Sequence, residues 1–192
     1  MTPYTKEKSE PLEKTLNNFY HTKNIKFNPD TDDIFEFVNS LGFEIWKLPL
    51  DNENLDGIIL AYKGEKKIGL NESLPLHHAR FVLAHELAHY ITRLAKSPDN
   101  LLIAERDRIF HGNQKKTIEH DMDYLAAAIL VPLEAFKQDM LHYNINLLPS
   151  SPTDTTDLKE QLPLNTIHEL AEKYCVSEEV IYRRIVEASY YV

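Results

Sequence analysis

Between Ala79 and Ile91 the chain reads ARFVLAHELAHYI, an apolar run without Gly or Pro. Phe81, Val82, Ala84, Leu87, Ala88 and Ile91 recur there at the spacing that buries one side of a helix. This helix carries an HExxH pentapeptide, His85-Glu86-Leu87-Ala88-His89. On a helix of about 3.6 residues per turn, side chains four positions apart leave from one face. His85 and His89 can therefore hold the same metal ion. Glu86 lies beside them, where a carboxylate can take a proton from water that Zn²⁺ has acidified. The pentapeptide thus offers two ligands and a general base, and a helix bedded in a core presents them rigidly. The plainer alternative is a pair of half-buried histidines, each satisfied by neighbours.

A catalytic zinc needs a third protein ligand and one open position. From Thr117 to Pro132 the chain reads TIEHDMDYLAAAILVP, a second helical pattern with Ile118, Met122, Leu125, Ile129 and Leu130 expected inward. Glu119 is placed in its first turn and Asp123 one turn later on the same side. That spacing suits Glu119 as a metal ligand and Asp123 as acceptor of the second ring proton of a ligand histidine. Asp121 and His120 are weaker ligand candidates. For Glu119 the competing reading is an acid that favours a helix N-terminus through the macrodipole.

Ile68-Gly69-Leu70-Asn71, the run from Arg80 to His89, and Glu119 through Pro132 together resemble the ImmA/IrrE family of metallo-endopeptidases. The family pattern is a strand ending in Asn, then RFTLAHELGH, then E-x-x-A-N/D-x-F-A-A-x-L-L-M-P. Glu119, Asp123, Ala126, Ala127, Leu130 and Pro132 match it. Met122, Leu125 and Val131 stand where Ala, Phe and Met are usual, and Ala88 replaces Gly; all are apolar exchanges that a core absorbs by repacking. The resemblance implies a small zincin-like α+β domain and an intracellular zinc peptidase. Its substrate would be a partner regulator, often a helix-turn-helix repressor of a mobile element, a phage or a stress response. It implies His85, His89 and Glu119 as zinc ligands, Glu86 as catalytic base and Asp123 behind a ligand histidine. It assigns neither the substrate-binding residues nor the group that stabilises the oxyanion, for which Tyr90, Tyr124, His111, His120 and His142 are available. A non-proteolytic regulator or protein-binding module that keeps the metallopeptidase fold is the alternative function.

The formal net charge of −9 sets the chain against partners whose affinity rests on Lys and Arg neutralising phosphates. From Leu164 two helical patterns meet around Tyr174-Cys175-Val176-Ser177, with Ser177 placed as the second N-cap. This is a helix-turn-helix outline, and the family has an LA-x-x-x-x-VS segment in the same place. Its second helix carries Arg183 and Arg184 but also Glu178, Glu179 and Glu187. A DNA-reading helix is usually basic, so this unit reads as structural or protein-binding, and direct nucleic-acid contact is disfavoured. The lone Cys175 cannot form an internal disulfide, and it reads as a packing residue. The opening MTPYTKEKSE lacks the apolar run of a signal peptide, and no stretch is apolar enough to cross a bilayer. The cytoplasm is the expected compartment.

Around the motifs, residues 1–29 read as an N-terminal arm with weak helical spacing through Leu16 and Phe19. Residues 30–147 read as the metallopeptidase-like domain, 148–163 as a Pro/Ser/Thr-rich linker, and 164–192 as the helix-turn-helix-like unit. Within the domain, Asp30 to Leu41 reads as a helix with acids in its first turn and Gly42 as its stop. Phe43 to Leu48, Gly57 to Tyr62 and Lys67 to Leu70 read as strands, with Lys63-Gly64-Glu65-Lys66 as a hairpin turn. An extended substrate could add to an edge of this sheet, although the sequence does not say whether Lys67 to Leu70 is that edge. Asn71 is either a substrate contact or a turn residue. Arg93 to Lys116, with Ser97-Pro98-Asp99-Asn100 and Glu105-Arg106-Asp107-Arg108, is a long connection that flanks the cleft on this reading.

Overall fold

The structure, a computed structural model, describes residues 4–50, 55–96, 103–105, 113–145, 159 and 162–190. In chain order the described elements are α1 (Lys6–Lys23), α2 (Ile34–Ser40), β1 (Glu44–Leu48), β2 (Gly57–Tyr62), β3 (Glu65–Asn71) and α3 (Leu76–Lys96). They continue with β4 (Ile103–Glu105), α4 (Asn113–Leu130), α5 (Leu133–His142), α6 (Leu164–Tyr174) and α7 (Glu178–Ser189). The fold is α+β, with one small sheet against a set of helices, as a zincin-like domain requires. The expected 148–163 linker lies almost wholly outside the described residues, as do Ser97-Pro98-Asp99-Asn100, Arg106-Asp107-Arg108 and His111.

The sheet has strand order β1-β3-β2-β4. β3 runs parallel to β1 and antiparallel to β2, so the strand containing Lys67 to Leu70 is internal, and the edges are β1 and β4. Lys63 and Gly64 both have positive φ, 50° and 88°, which is the conformation of a two-residue hairpin turn matched to strand twist. The turn is therefore shorter than the four residues expected, and Glu65 pairs with Tyr62. Along β2 burial alternates: Gly57, Ile59 and Ala61 face inward, and Leu60 and Tyr62 outward. The inward row, together with Ile68 and Leu70, lies on the α3 side.

Helix α2 starts later than its acidic flank suggests. Asp33 caps it, accepting from the N–H groups of Phe35 and Glu36 at 2.8 and 3.2 Å, while Asp32 accepts from the Asn28 N–H in the preceding turn. Asp30 and Asp32 thus lie ahead of the helix because the capping carboxylate three positions along fixes its start. Gly42, at φ 83°, ends the segment as expected.

Helix α3 is the central element and touches α1, α2, β2, β3 and α4. Burial extends around most of it, from Arg80 through Val82, Leu83, Ala84, Glu86, Leu87, Ala88, His89, Tyr90 and Ile91, as expected for a helix enclosed by its neighbours. On α4 the residues from Tyr124 to Leu130 are buried, but Ile118 is 44% exposed, contrary to the inward position expected of it. The helix begins at Asn113, ahead of Thr117, and Ile118 stays exposed although Met122, one turn further along, is buried.

The residues read as an arm form α1, whose Leu16 and Phe19 are buried. Phe19 meets the Tyr90 ring edge-on at 6.3 Å. At the other end, α6 and α7 join at Cys175, a non-glycine residue in the left-handed region at φ 50°. Ser177 holds the N-cap position with extended backbone, but its hydroxyl makes no capping bond. One continuous apolar cluster runs from Tyr4 through α1, the sheet and α3 to Ala188.

Candidate metal centre

His85 and His89 leave α3 toward α4, where Glu119 meets them. His85 Nε2 lies 3.1 Å from Glu119 Oε2 and 3.2 Å from His89 Nε2, and His89 Nε2 lies 3.6 Å from the same Glu119 oxygen. A tetrahedral zinc with bonds of about 2.0–2.1 Å separates neighbouring ligand atoms by about 3.3 Å. The observed triangle fits that donor set. Among the described residues this is the one cluster of His, Cys, Asp and Glu whose ligand atoms converge in this way. Asp123, one turn further along α4, lies 3.0 Å from His85 Nδ1. With Asp123 ionised, Nδ1 is the donor, and His85 Nε2 is left to face the Glu119 carboxylate and the His89 ring.

A positive charge among His85 Nε2, His89 Nε2 and Glu119 Oε2 is stabilising, with the Glu119 carboxylate beside both rings. Without a metal the charge is a proton. Burial works against the His85 imidazolium, but its hydrogen bonds to Asp123 and Glu119 outweigh that and bring its pKa up to about 9. For Glu119, burial opposes ionisation, yet the two histidines hold its carboxyl well below the usual carboxylate range. The same electrostatics favour a divalent cation at this point.

The structure separates the candidate residues of α4. Asp121 is turned away and accepts a hydrogen bond from the Tyr4 hydroxyl, so it does not join the histidines. Nor is Glu119 a first-turn acid, because α4 begins at Asn113 and places Glu119 in the helix interior; the helix-end reading therefore loses its basis. Of the oxyanion candidates, Tyr90 packs against Phe19 and Phe43, Tyr124 donates to Glu13 at 2.7 Å, and the His142 ring lies against Tyr143. Asn71 closes β3 as a turn residue. Its side chain donates to the Leu50 carbonyl and accepts from the Ser73 N–H and hydroxyl.

Glu86 leaves α3 beside the histidines, about 100° from His85 and about 60° from His89 around the helix axis. It meets β2 at Gly57 and lies close enough to His85 to favour that imidazolium. It is buried, at 8% exposure. Sequence reading gave Gly57 no role beyond starting a strand; the available signal was a glycine inside a strand pattern, which often marks close approach of another group. A separate cleft of about 400 Å³ lies between α2, β1 and the end of β3, bordered by Phe35, Ile45, Lys47, Leu70 and Asn71. None of the clustered residues lines it.

Reading also missed the polar network behind α4. Arg184 is fully buried on α7, donates from Nε to the Val131 carbonyl at 3.0 Å, and pairs with Glu187 at 2.7 Å. Arg183 donates to the other Glu187 oxygen at 2.9 Å. Both cations of the second helix in the helix-turn-helix outline are thus engaged inside the molecule.

A histidine pair on a buried helix, a carboxylate delivered from the next long helix and a small sheet alongside define a metallopeptidase-like protein. A family model described as Peptidase_M78, IrrE N-terminal-like domain, matches residues 38–186. The chain belongs to this family. Among curated proteins no match to the chain is found. No described helix is long and apolar enough to cross a membrane.

Proposed function

We propose that the chain is an intracellular, cytoplasmic zinc-dependent endopeptidase that cleaves a partner regulatory protein, with a helix-turn-helix repressor of a mobile element, a phage or a stress response as the substrate class. The observation that carries this reading is the triangle of His85, His89 and Glu119 ligand atoms at 3.1–3.6 Å, backed by Asp123. In the bound state zinc would supply Lewis acidity, polarising a peptide carbonyl and acidifying water at its open position.

The protein's own groups do the rest. Asp123 fixes the His85 ring by accepting its Nδ1 proton, so that Nε2 is offered to the ion. Glu86 accepts a proton from the attacking water and passes it to the leaving amine. An extended substrate adds to an edge of the sheet, whose described edge strands are β1 and β4, using main-chain hydrogen bonds for grip. The burial of Arg183 and Arg184 against Glu187 leaves α7 without those two cations for a phosphate backbone, which favours a protein substrate over nucleic acid.

The test finds whether an adjacent gene encodes a repressor-like protein and mixes that protein with the purified chain, with and without a chelator. Glu86→Gln is expected to bind zinc like the parent and to lose about 10²–10⁴-fold in cleavage rate. His85→Ala loses both metal and cleavage. Cleavage by Glu86→Gln at the parental rate would overturn the mechanism, and stable binding of the partner without any product would favour the non-proteolytic regulator.

A further inference from the structure

Gly57 is buried at the start of β2, opposite Leu70. Among the described glycines positive φ is confined to Gly42 and Gly64, so backbone conformation does not explain a glycine here. A glycine inside a strand also carries an entropic cost that alanine avoids. Space explains it. A Cβ at this position would stand 2.5 Å from Val82 Cγ1, 2.8 Å from Glu86 Oε1 and 3.1 Å from Glu86 Cγ. Val82 and Glu86 are one turn apart on α3, and both press on this single position.

We propose that Gly57 is a positioning residue for Glu86: the room left by its missing side chain seats the carboxylate between α3 and β2. The inference rests on the peptidase reading for its catalytic meaning. The seat limits the rotamers open to Glu86 and sets where its carboxylate lies relative to the histidine face. Any side chain at 57 displaces the carboxylate from that place while leaving His85, His89, Glu119 and Asp123 where they are, because those four meet on the α4 side of the helix.

Removing the Val82 clash isolates the Glu86 contact. Gly57→Ala is therefore introduced into Val82→Ala and into Val82→Ala/Glu86→Ala, and each full-length protein is loaded with zinc or cobalt(II). The added Cβ is expected to lower the melting temperature in the first background and much less in the second, where the opposing side chain is gone. In the first background metal content stays at parental level, the cobalt absorption bands move toward those of Glu86→Gln, and kcat falls at least about tenfold with KM within about twofold. An equal melting shift in both backgrounds, or cobalt bands and kcat unchanged from Val82→Ala, would overturn the proposal. A parent that cuts no peptide defeats the peptidase reading alone, since melting and cobalt spectra still decide where Glu86 is seated.

Discussion

At His85 two carboxylates meet one imidazole, Asp123 at Nδ1 and Glu119 at Nε2. The consequence for the metal-free protein is a dependence on pH with a definite sign. His85 has its pKa raised from 6.5 to about 9, so its contribution to stability is complete below about pH 6.5 and disappears as the pH rises through about 9. Glu119 is shifted the other way; its contribution is present above the usual carboxylate pKa and is lost in acid. Melting temperatures in excess chelator should fall from pH 6.5 to 10, and His85→Gln should flatten that limb. A parental curve that stays level across the range would contradict the ion pair. Asp123→Asn removes the negative charge that orients the ring, and metal affinity should drop about 10–100-fold in a chelator competition. The HExxH spacing made His85, His89 and Glu86 legible in advance, because all three lie within two helical turns and local periodicity fixes their faces.

Elements were legible to the extent that their signals were local. The α3 periodicity, the Gly42 stop and the strand from Gly57 to Tyr62 could be read because each depends on neighbours in sequence. The start of α2 shifted because several acids compete as caps and only Asp33 has both backbone donors in reach. The hairpin turn contracted to Lys63-Gly64 because both residues take positive φ. On α7 the mixture of Arg and Glu argued only against DNA contact and did not show that Arg184 and Glu187 are both fully enclosed. A buried pair of this kind contributes little over an apolar replacement but is costly to break. Arg184→Ala should therefore cost about 3–5 kcal/mol in urea unfolding, because it leaves Glu187 ionised and enclosed with only Arg183 as a partner. Replacing Arg184 and Glu187 together with leucine should cost much less.

For the whole molecule, the question is whether the segments read as arm, domain and helix-turn-helix unit can stand apart. Their apolar side chains belong to one cluster that includes Leu16 of α1, Leu87 of α3, Leu125 of α4 and Ile185 of α7. Polar links cross the same boundaries, from Glu13 to Tyr124 and from Arg184 to Val131. Removing residues 146–192 should therefore expose the α7-facing side of α4 and α5, and abolish the cooperative melt. A truncated chain that still melted cooperatively and bound zinc would show that the C-terminal helices are an independent unit.

What the sequence determined by itself was the face of each helix and the chemistry on it: two imidazoles and a carboxylate at HExxH spacing, and a second helix bearing acids. It ranked Glu119 above Asp121 as the acid that meets the histidines, by spacing and by resemblance, but could not show how the second helix is turned. Glu119 and Asp121 are two positions apart, hence about 200° apart around the helix axis, and only one can face α3. The rotation of α4 made that choice. It is seen in the Tyr4 bond to Asp121 on one side and in the contacts of Glu119 and Asp123 with His85 on the other. The Gly57 contact with Glu86 and the enclosure of Arg184 have the same origin. Each joins residues far apart in the chain, and packing between elements, which no single element encodes, brings them together.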